Sequence, residues 1–87
     1  MKNLNNIFLN RYPTIDLHGF DSQSAIVAVK DFINENIILD NKIIVIIHGK
    51  GQGILKQAIY AFLKTSKQVI NYKLDNFNDG VTIVELR

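Results

Sequence analysis

Two short clusters hold the residues that could do chemistry: Asp16-Leu17-His18-Gly19 and His48-Gly49-Lys50-Gly51. Between them they contain both histidines of the chain. An imidazole titrates near neutrality, so one ring can accept a proton while another donates one. Breaking an RNA backbone requires little more. The 2′-hydroxyl must lose its proton, the leaving 5′-oxygen must gain one, and charge at phosphorus must be stabilised. Two histidines beside a cationic, amide-rich loop could do this without a metal. Asp16 lies two residues before His18, and in an extended strand that spacing puts both on one side. A carboxylate there could orient the ring, raise its pKa or hold a water. The plainer role for Asp16 is to cap a loop by accepting backbone amides. Asp16, His18 and His48 are therefore the catalytic candidates.

The second cluster continues into a glycine-rich loop, with Gly49, Gly51 and Gly53 alternating with Lys50 and Gln52. Glycines let backbone amides approach an anion closely, and a helix N-terminus just beyond offers free N–H groups and roughly half a positive charge. Gly19, Gly49, Lys50, Gly51, Gly53 and Lys56 are the candidate phosphate-binding residues. A tight strand-to-helix turn would use the same glycines, and the two roles are compatible. The spacing is not that of a P-loop, and Ile54 stands where a dinucleotide fingerprint needs its third glycine. Lys56, Tyr60 and Lys64 share a helix face and, with Lys50 and Lys67, could form a basic track with one aromatic for stacking. A solvated helix face has the same pattern. Two histidines and one aspartate could bind a divalent ion, but no second carboxylate is fixed nearby, so neither metal nor other cofactor is expected. Ser22 and Ser24 fall on a helix cap rather than a strained nucleophile elbow.

These clusters need strands and helices to bring them together. Thr14–Leu17 reads as a short strand with Ile15 and Leu17 on one face and Asp16 and His18 on the other. Asp21 and Ser22 are N-cap candidates. Ala25, Ile26, Val29, Phe32 and Ile33 then recur at helical spacing, and the helix is expected to fray near Asn36. Asp40-Asn41 signals a turn. Ile43–Ile47 has no polar residue and reads as a central strand buried on both faces. A second helix runs from Ile54 or Leu55 to about Thr65, with Leu55, Ala58, Ile59, Phe62 and Leu63 inward. Val69–Leu74 and Val81–Leu86 form a hairpin around a turn at 76–80.

The order β-α-β-α-β-β, with right-handed crossovers, predicts an α/β two-layer sandwich. Its sheet has four strands, is mixed and mostly parallel with the last strand antiparallel, and carries both helices on one face. Both motifs then fall at the same edge of the sheet, where open α/β sheets bind ligands. If Val45 points at the helices, Ile44 and Ile46 lie on the open face and need cover.

Eighty-seven residues make one domain, with 1–13 as a lead-in and 14–87 as the folded unit. Ile7, Phe8 and Leu9 are too apolar for a free tail and are expected to pack on the domain or on a second copy, so a homodimer is a candidate assembly. The absence of cysteine excludes a disulfide framework and fits a cytoplasmic location. The N-terminus is too polar for a signal peptide, and no apolar run approaches the ~20 residues of a membrane helix. The formal net charge of +2 is compatible with nucleic acid but is far from a basic arm.

Thr14-Ile15-Asp16-Leu17-His18-Gly19, followed about 30 residues later by Ile46-Ile47-His48-Gly49-Lys50-Gly51, resembles the Smr (small MutS-related) domain family. The ending Gly80-Val81-Thr82-Ile83-Val84-Glu85-Leu86 fits that family's last strand. The resemblance covers residues 14–86. It implies a fold like the C-terminal domain of translation initiation factor 3, and it carries the family's catalytic Asp and His onto Asp16 and His18. It also implies a stand-alone endonuclease acting on nucleic acid, with RNA ahead of DNA, the ribosome as a further candidate partner and no membrane. The alternatives are a metal-dependent DNA-nicking endonuclease and a non-catalytic module for structured or branched nucleic acid.

Overall fold

The computed structural model describes residues 11–51 and 53–87. They form β1 (Thr14–Asp16), α1 (Ser22–Ile38), β2 (Ile43–Ile47), α2 (Ile54–Thr65), β3 (Val69–Leu74) and β4 (Val81–Leu86). The strands lie in the order β1-β2-β4-β3. β1 and β2 are parallel, and β4 runs antiparallel to both of its neighbours. Three strands thus point one way and the last is opposed, as the sequence predicts. The α2 crossover carries the chain past one strand position. β4 returns through the hairpin into that gap, which is why Thr82, Val84 and Leu86 are fully or almost fully buried.

Both helices pack on one face of the sheet. Ala25, Val29 and Ile33 of α1 and Ile59 and Leu63 of α2 form one core with Leu17, Ile44, Ile46, Val84 and Leu86. Each such side chain, fully buried, contributes about 1.5–3 kcal/mol when large and aliphatic. Asp21 caps α1, accepting from the backbone N–H of Ser24 at 2.8 Å and its hydroxyl at 3.0 Å.

Three expectations change. Ile44 and Ile46 face the helices, and Val45 lies on the opposite face with its register partners Thr14 and Ile83. An all-apolar strand carries no alternation from which to choose a face; the pairing of Ile15 with Ile46 settles it. The first helix does not fray at Asn36. Asn36 is buried and donates its side-chain amide to the Phe32 carbonyl at 2.8 Å, while its Oδ1 accepts from Asn41 at 2.8 Å. A buried, doubly bonded amide pins the last turn and its exit. The first strand ends at Asp16, although the Leu17 N–H still donates to the Ile47 carbonyl at 2.7 Å. The lead-in joins the sheet at its inner end, where the Pro13 carbonyl accepts from Val45 N–H at 2.9 Å. The packing expected for Ile7, Phe8 and Leu9 lies outside the described residues.

Candidate active site

The parallel register places Asp16 opposite Ile47, so one step further Leu17 meets His48 and His18 meets Gly49. The two histidines therefore lie at one edge of the sheet but on opposite faces. A β-carbon built on Gly49 would stand 3.3 Å from the His18 β-carbon, and Gly49 takes φ +83°. Both the contact and the left-handed backbone favour glycine there. The motifs meet through this glycine.

His18 and Asp16 form a pair. The His18 Nδ1–H donates to Asp16 Oδ1 at 2.6 Å, and the same oxygen accepts from the His18 backbone N–H at 3.2 Å. Nδ1 must carry the proton because the carboxylate only accepts, which leaves Nε2 free. The ring is 72% exposed. The hydrogen bond to Asp16, and then its charge, raise the His18 pKa above the ordinary imidazole value. The side-chain and backbone hydrogen bonds from His18 lower that of Asp16.

His48 differs in every respect. It is 4% exposed. Its Nδ1 lies 3.0 Å from the Gly49 carbonyl and its Nε2 2.8 Å from Thr82 Oγ1. A carbonyl cannot donate, so Nδ1 carries the hydrogen and Nε2 accepts from the threonine hydroxyl. That hydroxyl has then used its one proton, so the Tyr60 hydroxyl donates to Thr82 Oγ1, at 2.9 Å. The chain Tyr60–Thr82–His48–Gly49 is satisfied with a neutral imidazole. Burial, with the nearby Lys56 charge, lowers the His48 pKa against the opposing pull of the Gly49 carbonyl and Asp79. Both ring nitrogens are thus committed inside the protein.

The glycine loop is clamped from the β3–β4 turn. The Gly80 carbonyl accepts from the backbone N–H of His48 at 2.9 Å and of Gly49 at 3.0 Å. A β-carbon on Gly80 would stand 3.1 Å from the Gly49 carbonyl carbon. The turn is itself tied, with Asn78 Oδ1 accepting from Gly80 N–H at 2.9 Å. Gly53 is the N-cap of α2 and offers no side-chain cap, so among the described residues no side chain caps the first amides of that helix.

A cleft of about 620 Å³ lies over this edge. His18, Gly19, His48, Gly49, Lys50, Gly51, Gly53 and Lys56 all line it, which brings together every anticipated site residue but Asp16, standing behind His18. Lys50 also reaches toward Asp79 at 3.8 Å, an exposed and weak pair. The basic track does not form as expected. Tyr60 stacks on Tyr72 at 5.0 Å, sits edge-on to His48 at 6.4 Å and has Lys56 over its ring at 5.7 Å. It is spent on packing, and Lys64 borders a different hollow beside β3. Among the described residues no three His, Cys, Asp or Glu side chains converge as metal ligands. No helix there is long and apolar enough to cross a membrane.

Sequence reasoning missed the roles of Thr82 and Gly80 and assigned Tyr60 to the basic track rather than to the hydrogen bond with Thr82. Thr82 was the readable one, a polar residue on the inward side of a strand that otherwise buries valine and leucine.

The Smr domain model matches residues 15–87. The chain is 41% identical over 76 residues to endonuclease MutS2 of Clostridium tetani and 40% identical over 77 residues to endonuclease MutS2 of Clostridium acetobutylicum. These alignments take in 84% and 85% of this chain but 10% of each relative, so the chain spans about a tenth of the curated proteins it matches. The crystal structure of the Smr domain of Thermus thermophilus MutS2 superposes with a TM-score of 0.84 at 32% identity, covering 86% of this chain and 98% of that one. YdaL, a stand-alone small MutS-related protein from Escherichia coli, shares the fold with a TM-score of 0.82 at 21% identity, over 100% of this chain and 77% of that one. With the Asp-His and glycine-loop motifs meeting at one sheet edge and the family model spanning nearly all of the described residues, the chain belongs to the Smr domain family.

Proposed function

We propose that this domain is a nucleic-acid endonuclease whose substrate is RNA and whose proton-transfer group is His18. The observation that carries the reading is the 2.6 Å Asp16–His18 pair, which presents an exposed ring with Nε2 uncommitted to Asp16 at a cation-lined cleft. The name endonuclease MutS2 of the relatives supports the nuclease class. A raised pKa keeps His18 more fully protonated near neutrality than a free imidazole, which suits a general acid. The 2′-oxygen attacks phosphorus and its proton passes to solvent. The P–O5′ bond breaks, and the departing oxygen takes the proton from His18 Nε2. The products are a 2′,3′-cyclic phosphate and a 5′-hydroxyl. Lys50, Lys56, the loop amides and the open N-terminus of α2 hold the phosphate and offset its developing charge. Asp16 and His48 act as positioning residues, the first on the His18 ring and the second on the Gly49 backbone.

The test is an RNA of defined sequence carrying one 2′-deoxy sugar at the cut site, incubated with and without EDTA. Cleavage should stop at the deoxy position, persist in EDTA, and leave a cyclic phosphate. Cleavage across the deoxy sugar that EDTA abolishes would replace this reading by metal-dependent DNA nicking. Tight binding without turnover of any substrate would replace it by a non-catalytic module.

A further inference from the structure

Phe20 directly follows the Asp-His motif and is 45% exposed, although a phenyl ring gains from burial. It is held rather than loose. Its N–H donates to the Leu17 carbonyl at 3.0 Å, and the next residue, Asp21, is locked as the cap of α1. It lines the cleft beside His18. Ile54, the first residue of α2, is 64% exposed and lines the same cleft. The cleft volume falls in the ~300–1,000 Å³ range of small-molecule sites. Lys50 and Lys56 are its charged residues, and no carboxylate is among its described lining residues. An occupant with a flat apolar face and a negative charge fits both features.

We infer that Phe20 is a specificity-determining residue that stacks on an unpaired nucleobase next to the bound phosphate. The inference rests on the nucleic-acid reading of the cleft and narrows it to single-stranded or looped substrate. Within a duplex each base has its faces covered by its neighbours, so a ring fixed on a short turn cannot reach one. An unpaired base offers a free face, and aromatic stacking accepts any base. The preference is therefore for strand state rather than for sequence.

The test uses three uncleavable probes: a 2′-O-methyl hexanucleotide of non-self-complementary sequence, the same sugar-phosphate chain without bases, and the hexanucleotide annealed to its complement. Wild-type protein should bind the single strand more tightly than either of the other two. Phe20→Ala should weaken binding of the base-bearing strand by about 5- to 150-fold and leave the abasic chain within about twofold. Phe20→Trp should restore the preference. Equal losses on both single-stranded probes, no loss on either, or wild-type binding of duplex as tight as of single strand would overturn the inference. The base-against-abasic comparison on unaltered protein stands even if Phe20→Ala does not fold. Wild-type protein that binds none of the probes would remove the nucleic-acid reading itself, a result distinct from binding that ignores the bases.

Discussion

A single oxygen, Asp16 Oδ1, holds both the backbone and the ring of His18. Asp16→Asn keeps an acceptor at that place and removes its charge. The histidine pKa should then fall toward the ordinary imidazole value, since the hydrogen bond to a carboxylate and the carboxylate charge are what raise it. If protonated His18 is the acid, the rate declines as pH rises through its pKa. In Asp16→Asn that decline should begin at lower pH, with a loss of up to about 4-fold at pH 7, where an imidazole of ordinary pKa is still about a quarter protonated. His18→Ala should lose ~10²–10⁴-fold, the usual range for a positioned proton donor. Rates that instead climb with pH across the same interval would make His18 the base. The Asp-His pair was legible in the sequence because alternation along a strand needs no tertiary knowledge. The separate fate of His48 was not. It depends on a register in which His18 faces Gly49 rather than His48, and no residue in either motif encodes that offset.

At the scale of elements, the two loops and the hairpin turn lock into one another through backbone. Gly80 is the tightest point, with the Gly49 carbonyl carbon 3.1 Å from where its β-carbon would be and with no flexible side-chain end that could absorb the whole contact. Gly80→Ala should therefore cost about 1–3 kcal/mol, as other insertions into filled space do. In a domain of this size each kcal/mol lowers Tm by about 4–8 °C. Cleavage should drop further than stability accounts for, because the displaced atoms belong to the loop that carries Gly49. A midpoint of urea unfolding within error of wild type would mean that the turn simply moves away. The element boundaries themselves were largely legible: Ile43–Ile47, Val69–Leu74 and Val81–Leu86 coincide with their apolar runs. Asn36 was misread because an asparagine near a helix end usually faces water. Here Asn41 comes back to meet it, a contact five residues away that a helical pattern does not reveal.

For the whole molecule, the buried Tyr60–Thr82–His48 chain ties α2, β4 and the glycine loop into one unit, so the site and the fold share a titratable group. His48 has a lowered pKa in the folded protein, chiefly from burial, and regains the ordinary value of about 6.5 when unfolded. Between those two values the unfolded chain binds the extra proton and the folded chain does not. Stability then rises with pH across that interval, so acidification from about pH 7 should destabilise the domain until the folded-state pKa is passed. The contributions of Asp16 and Asp21 have the opposite origin. Their carboxyls are lowered by hydrogen bonds, and their share is lost only as pH falls below the ordinary carboxylate range. The two windows are separable by thermal melts at half-unit steps from pH 7.5 to 3. His48→Gln should start from a lower Tm, since Thr82 and Tyr60 lose the partner their network was built around. Its melts should no longer fall between pH 7 and 5, where the raised pKa of the exposed His18 gives at most a slight rise on acidification, while the drop below pH 4.5 remains. An unchanged slope between pH 7 and 5 in that variant would assign the acid sensitivity elsewhere and would free His48 from its structural role.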